Sequence, residues 1–218
     1  MRRSPRLVIG SVVAAVVAGV AVLVAVAVSR SEPSVPPPRV VQPGAPGQPA
    51  RTLSPDEVEA LSAPPHTRAD ADFMRRMIPH HAQALEMTAL VADRSASPDL
   101  PLLARRIEVS QRDEIAQMER WLMARGEALP AAHADHRGMP GMLSASELAA
   151  LTAARGTTFD RMFLELMIRH HRGAITMVDE LYAAGGGIEP ASDQFAREVN
   201  ADQTIEIRRM QELLADLS

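Results

Sequence analysis

The segment "MIPHHAQALEM", Met77 to Met87, returns further along the chain as "MIRHHRGAITM", Met167 to Met177. Met, Ile, a His-His pair, a small Ala and a closing Met recur in the same order. The spacing is 90 positions (163 − 73 for the Phe pair just upstream) and does not drift. Asp70/Asp160, Phe73/Phe163, Met77/Met167, His80/His170, His81/His171, Ala84/Ala174 and Met87/Met177 all keep it. So do "LSPDEVEAL" (Leu53 to Leu61) and "LSASELAAL" (Leu143 to Leu151). "QRDEIAQMERWL" (Gln111 to Leu122) matches "QTIEIRRMQELL" (Gln203 to Leu214) at a spacing of 92, and "AAGGGIEPAS" is where the two extra residues fit. Ordered matches at one spacing mean a duplicated unit, so the fold must be two copies of one hairpin.

The unit is helical. Ser54-x-x-Glu57 and Ser144-x-x-Glu147 are capping boxes, in which a side chain at each end satisfies the other's backbone N–H. At about 100° per residue, Phe73, Met77, Ala84 and Thr88 centre one stripe, with His80 and Met87 on one flank and His81 on the other. The second copy repeats the wheel around Phe163, Met167 and Ala174. Asp70 and Asp160 stand where an N-cap is expected. Pro79 is expected to kink the first helix just before His80, because it cannot donate to the preceding turn. The partner helices carry Gln111, Glu114, Ile115, Met118 and Leu122, and Gln203, Glu206, Ile207, Met210 and Leu214, on one stripe each. Glu114 and Glu206 are anomalous there, since a lone carboxylate on an apolar face costs several kcal/mol. The histidines of the facing helix are the natural partners. The expected fold is all-α: a four-helix bundle of two antiparallel hairpins about a pseudo-two-fold axis, with His and Glu converging inside. The hairpins could close within one chain or swap between two as a homo-oligomer.

That convergence suggests metal. Neutral imidazole is the commonest transition-metal ligand, and thioether sulfur adds selectivity for copper(I). Met77, His80, His81 and Met87, with Met167, His170, His171 and Met177, form such a set. Glu114 and Glu206 would accept one ring N–H each, fix the tautomer and turn the other nitrogen to the ion. "HADHRGMPGM" offers a second, loop-borne set in His133, His136, Met139 and Met142, where Pro140-Gly141 stops any helix. The plain alternative is that Met fills the core and His only hydrogen-bonds Glu.

Composition narrows the choice. Cysteine is absent from the 218 residues, which removes thiolate sites, disulfides and Cys nucleophiles. Aromatic residues make up 3% while Met numbers 12, so the core is aliphatic and thioether. A net charge of -4 gives no reason to expect nucleic acid. Arg2, Arg3 and Arg6 precede an uncharged run from Leu7 to Val28. That run is long enough to cross a bilayer, which takes about 20 residues, and longer than a signal-peptide core of about 7–15. An uncleaved transmembrane anchor is expected, with the arginines on the cytoplasmic side. Ala25-Val26-Ala27 also fits a cleavage site, in which case the product is secreted. "EPSVPPPRVVQPGAPGQPA" then reads as an extended Pro-rich linker. The expected organisation is anchor or signal 1–30, linker 31–52 and helical domain 53–218, with repeats about 53–125 and 143–218.

Catalysis finds little support: the chain has no Glu-x-x-His, His-Glu-x-x-His, Walker loop or Gly-x-Ser-x-Gly. No catalytic residue is assigned. The pattern Phe-x-x-x-Met-Ile-x-His-His-x-x-Ala-x-x-Met, present twice, resembles a bacterial family known as domain of unknown function 305. "MPGM" followed by Leu-Ser-x-x-Glu-Leu, and the Gln-x-x-Glu-Ile-x-x-Met helix, resemble it too, over roughly Asp70 to Leu214. The resemblance implies a ferritin-like four-helix fold outside the cytoplasm. It also implies copper or another transition metal held at Met77, His80, His81, Met87, Met167, His170, His171 and Met177. The expected function is a membrane-tethered copper-binding protein that sequesters or delivers the ion. The alternative is a non-catalytic structural or interaction module of the cell envelope whose His/Glu pairs only stabilise the bundle.

Overall fold

The computed structural model describes residues 40–44, 47–60, 65–131 and 138–217. The expected anchor, Leu7–Val28, lies outside the described residues, as do His133 and His136. Among the described residues no helix is long and apolar enough to cross a membrane. Two compact units divide the chain, 1–58 and 59–218. In the first, the stretch expected as plain linker holds a small antiparallel hairpin, β1 (Val41–Gln42) paired with β2 (Arg51–Thr52). The capping box that follows is formed as expected and starts α1 (Pro55–Ala60): Ser54 N donates to Glu57 Oε2 at 2.9 Å and Glu57 N to Ser54 Oγ at 3.2 Å.

The second unit is helical throughout its described elements. Two hairpins hold it, α2 (Arg68–Ala89) with α4 (Leu100–Ala124), and α6 (Gly156–Ala183) with α7 (Pro190–Asp216). Short α3 (Val91–Arg94) bridges the first, and α5 (Ala145–Ala153) leads into the second. The hairpins meet through α2 and α6 within one chain. The helices run antiparallel at that seam, so Arg76 pairs with Glu180 at 2.9 Å and His80 lies beside His170. The second capping box, Ser144/Glu147, starts α5.

Two expectations need correction. Asp70 is not an N-cap: Thr67 is, and Asp70 closes a third capping box from the first turn. Asp160 is no cap either, for α6 starts earlier, after Arg155. Both aspartates are wholly buried and reach instead for the opposite hairpin's loop. Asp70 accepts from Gly187 N and Ser192 Oγ, each at 2.7 Å, besides Thr67 N at 2.7 Å and Thr67 Oγ1 at 2.8 Å. Asp160 accepts from Ala96 N at 3.2 Å. As for Pro79, α2 runs unbroken from Arg68 to Ala89 with the proline inside it.

The core has two apolar clusters. One gathers Phe73, Met74, Met77, Met118, Trp121 and Met177 among others, and the second includes Met87, Ile107, Phe159, Phe163, Met167 and Met210. The repeat exchanges them: Phe73 maps to Phe163, Met77 to Met167, Met118 to Met210. The histidines lie between Met77 and Met87 on α2, and between Met167 and Met177 on α6, so a polar layer separates the clusters.

Burial raises the Asp70 carboxyl, but its four donors outweigh burial and hold it below the ordinary carboxylate value. Its stabilisation is therefore present above the unfolded value of about 3.9 and is lost as pH falls through the folded value. We expect Asp70→Ala to destabilise the fold by about 3 kcal/mol at pH 7. Urea unfolding at pH 7 and pH 3 checks this, and the difference between the proteins should shrink in acid.

Candidate metal centre

Each long helix of the α2–α6 seam carries two adjacent histidines, and the seam buries all four, at 0% exposure. The two central rings, His80 and His170, stack across it with centroids 3.9 Å apart and planes 35° from parallel. Within each pair the rings stand 6.2 Å apart, tilted by 55° in the first and 56° in the second. That agreement is the pseudo-two-fold axis expressed in side chains.

The outer rings find the glutamates. His81 Nε2 donates to Glu114 Oε2 at 2.5 Å, and His171 Nε2 to Glu206 Oε2 at 2.7 Å. Ser110 Oγ also donates to Glu114, at 3.4 Å. These two carboxylates and Glu198 act on Asp202, whose carboxyl is pushed up first by partial burial and then by their negative charges. The acidic groups of α4 and α7 therefore gather on one side of the polar layer.

His80 has a different acceptor. Its Nε2 donates to the backbone carbonyl of Pro140 at 3.0 Å. A carbonyl only accepts, so the proton of neutral His80 resides on Nε2. Burial, and secondly the neighbouring His81, push the His80 imidazole down to about 3. His170 is pushed well below the ordinary value by burial and then by His80, His171 and His81; the His80 backbone opposes this only weakly. No hydrogen bond of acceptable geometry reaches either nitrogen of His170.

The Nδ1 atoms of all four histidines are buried and unpartnered, and so are both amide atoms of Gln111 and Oε1 of Gln203. Buried polar atoms without partners are uncommon in native proteins and point to a missing ion or water. The donor types suit a borderline or soft cation: four imidazoles, three of them hydrogen-bonded at Nε2, with methionines in the apolar clusters on either side. The cage is not complete, for among the described residues no three His, Asp or Glu side chains stand together closely enough to hold an ion. The eight Met and His expected as one set also divide. Met77 joins Met177 in one apolar cluster, Met87 joins Met167 in the other, and the four histidines occupy the layer between. Met139 is half-buried against the first cluster and Met142 lies in the loop beyond it.

Sequence reasoning missed the Pro140 carbonyl, which no side-chain pattern reveals. It also passed over Gln111 and Gln203 as buried groups with unpartnered atoms, although two glutamines at matched positions of an apolar stripe are as anomalous as the glutamates.

The sequence profile "Domain of unknown function (DUF305)" matches residues 70–214. This chain belongs to the DUF305 family. Among solved DUF305 structures, a fragment from Deinococcus radiodurans is 36% identical, covers 70% of this chain and 99% of its own, and superposes with a TM-score of 0.63. A DUF305 protein from Streptomyces coelicolor is 31% identical over 68% of this chain and 93% of its own, with a TM-score of 0.61. CopM in its Cu(II)-bound form is 29% identical over 68% of this chain and 97% of its own, with a TM-score of 0.59. CopM has also been solved with Cu(I) and with silver. No curated protein matches the chain.

Because His80 and His170 are held neutral, the unfolded chain binds more protons than the folded one below the unfolded value of about 6.5. Their contribution is present above that pH and is lost as pH falls through the folded values. We expect the metal-free protein to lose about 2 kcal/mol per such histidine between pH 7 and pH 5. Imidazole 15N shifts at pH 5 should report both rings still neutral, and urea midpoints should follow.

Proposed function

We propose that this DUF305 chain binds copper outside the cytoplasm, tethered by residues 1–30, and sequesters the ion or passes it on. The observation that carries the reading is the set of unpartnered, fully buried Nδ1 atoms on His80, His81, His170 and His171. Support also comes from CopM, a relative solved with Cu(II), Cu(I) and silver. The ligands are these imidazoles with thioethers of Met77, Met87, Met167 and Met177, and Glu114 and Glu206 orient two of the rings. When bound, the ion would supply a positive charge beside His80 and His170, which are themselves held neutral. Met139 and Met142 are candidates for a second, loop-borne set of ligands; its other two members, His133 and His136, lie outside the described residues. The architecture is ferritin-like, and the run Leu7–Val28 is the membrane anchor; cleavage after it gives the same domain in secreted form.

The rival reading is a structural module, favoured by one observation: the His81–Glu114 and His171–Glu206 pairs are complete without any ion. Thermal unfolding separates the two. On the copper reading, Cu(I) or silver raises the melting temperature of the full chain, and native mass spectrometry finds the ion retained. His80→Ala with His170→Ala abolishes both effects, whereas equal melting temperatures with and without the ion favour the structural module.

A further inference from the structure

The strap that joins the two hairpins crosses the α2–α6 seam at the level of His80, and three contacts seat it. Gln83 on α2 holds Leu143 at both backbone groups. Its amide donates to the Leu143 carbonyl at 3.0 Å, and its own carbonyl accepts the Leu143 N–H at 2.7 Å. Pro140 offers its carbonyl to His80 Nε2. Gly141 lies directly on Gly173 of α6. A Cβ on Gly173 would stand 2.1 Å from the Pro140 oxygen and 2.4 Å from its carbonyl carbon. A Cβ on Gly141 would stand 2.8 Å from Gly173 Cα and from the His170 oxygen, and its φ of +77° already excludes most side chains. Backbone touches backbone here, and only glycine at both positions permits it.

The geometry points to the strap as a positioning element for His80, with Gln83 as its clasp and Gly173 as its seat. Pro140 O does for His80 what Glu114 and Glu206 do for His81 and His171. It keeps the proton on Nε2, so that Nδ1 presents its lone pair to the buried layer. The acceptor is neutral, and so it adds no charge to a layer whose central rings are already uncharged. His170 receives no comparable acceptor among the described residues. The duplicated centre is therefore asymmetric: three imidazoles have an acceptor at Nε2, and His170 has no comparable one. Outside the strap lie two clefts of about 440 and 730 Å³, both lined by Gln83 and Met142.

The positioning claim concerns the metal-free protein; only its consequence for a soft cation rests on the copper reading. The test uses the full chain, free of metal and 15N-labelled at histidine. Imidazole shifts should place the His80 proton on Nε2 in the natural protein. In Gln83→Ala and in Gly173→Ala that preference should be lost at His80 and kept at His81 and His171. Gln83→Glu, which can accept from Leu143 N but not donate to its carbonyl, should fall between. Gly173→Ala raises the helix propensity of α6, so helical content by circular dichroism should not fall and a general loss of structure is separable. A proton on Nδ1 of His80 in the natural protein overturns the inference, as does a His80 tautomer indifferent to both variants. A second arm titrates silver(I). The strap variants should bind it about tenfold more weakly than the natural chain. If the natural chain binds no silver while the tautomer responds as stated, the copper reading fails and the positioning role holds.

Discussion

Two uncharged imidazoles face to face, with centroids 3.9 Å apart, hold the centre of this molecule. If both took protons, like charges would meet in a buried seam with no counter-ion between them. Burial forbids it, and both rings are held neutral. Neutrality lets α2 and α6 approach along their whole shared face. Once they do, the outer histidines must point toward α4 and α7, where Glu114 and Glu206 receive them. The apolar clusters on either side then supply the burial that offsets a layer containing unpartnered polar atoms, each worth about 1–3 kcal/mol against folding. A sequence selected for stability alone would have filled that layer with leucine.

The duplication is faithful in the layer and looser at its edges. His-His tilts agree within a degree and the His–Glu distances within 0.2 Å. Asp70, by contrast, gathers four donors where Asp160 has one from Ala96. The cause is local. The α6–α7 loop is glycine-rich, with Gly185 and Gly187 at positive φ, and it can turn a backbone N–H and Ser192 onto the Asp70 carboxylate. The α3–α4 loop, built on Ser95 to Asp99, offers only one N–H. A duplicated unit keeps what both copies need and lets each loop answer to its own sequence.

The repeat made much of this legible. A fixed spacing of 90 residues, two capping boxes and glutamates on apolar stripes were enough to expect four long helices and His-His pairs near the glutamates, while the choice of His81 and His171 as the partners came from the structure. Periodicity says which side chains share a face, and that was sufficient wherever one side chain answers another. It fails where the partner is backbone. The Pro140 carbonyl and the Gly141–Gly173 apposition depend on where a loop lies in space, and no residue type marks a carbonyl, whereas the Thr67-x-x-Asp70 capping box is a local pattern that the sequence carried and the reading overlooked. It also fails to divide a stripe by depth. Met77 and Met87 sit on one helix with His80 between them, yet they belong to opposite clusters because α6 runs antiparallel and pairs Met77 with Met177.

That division bears on what an ion would meet in the layer. Methionines belong to the apolar clusters on both sides, the imidazoles lie between them, and Glu114 and Glu206 are already engaged by ring N–H groups. A divalent ion that favours oxygen would have to draw Glu114 or Glu206 away from its histidine. A monovalent soft ion needs no such charge; sulfur and neutral nitrogen suffice. Glu114 and Glu206 are taken up by the histidines, and the chain carries no thiolate.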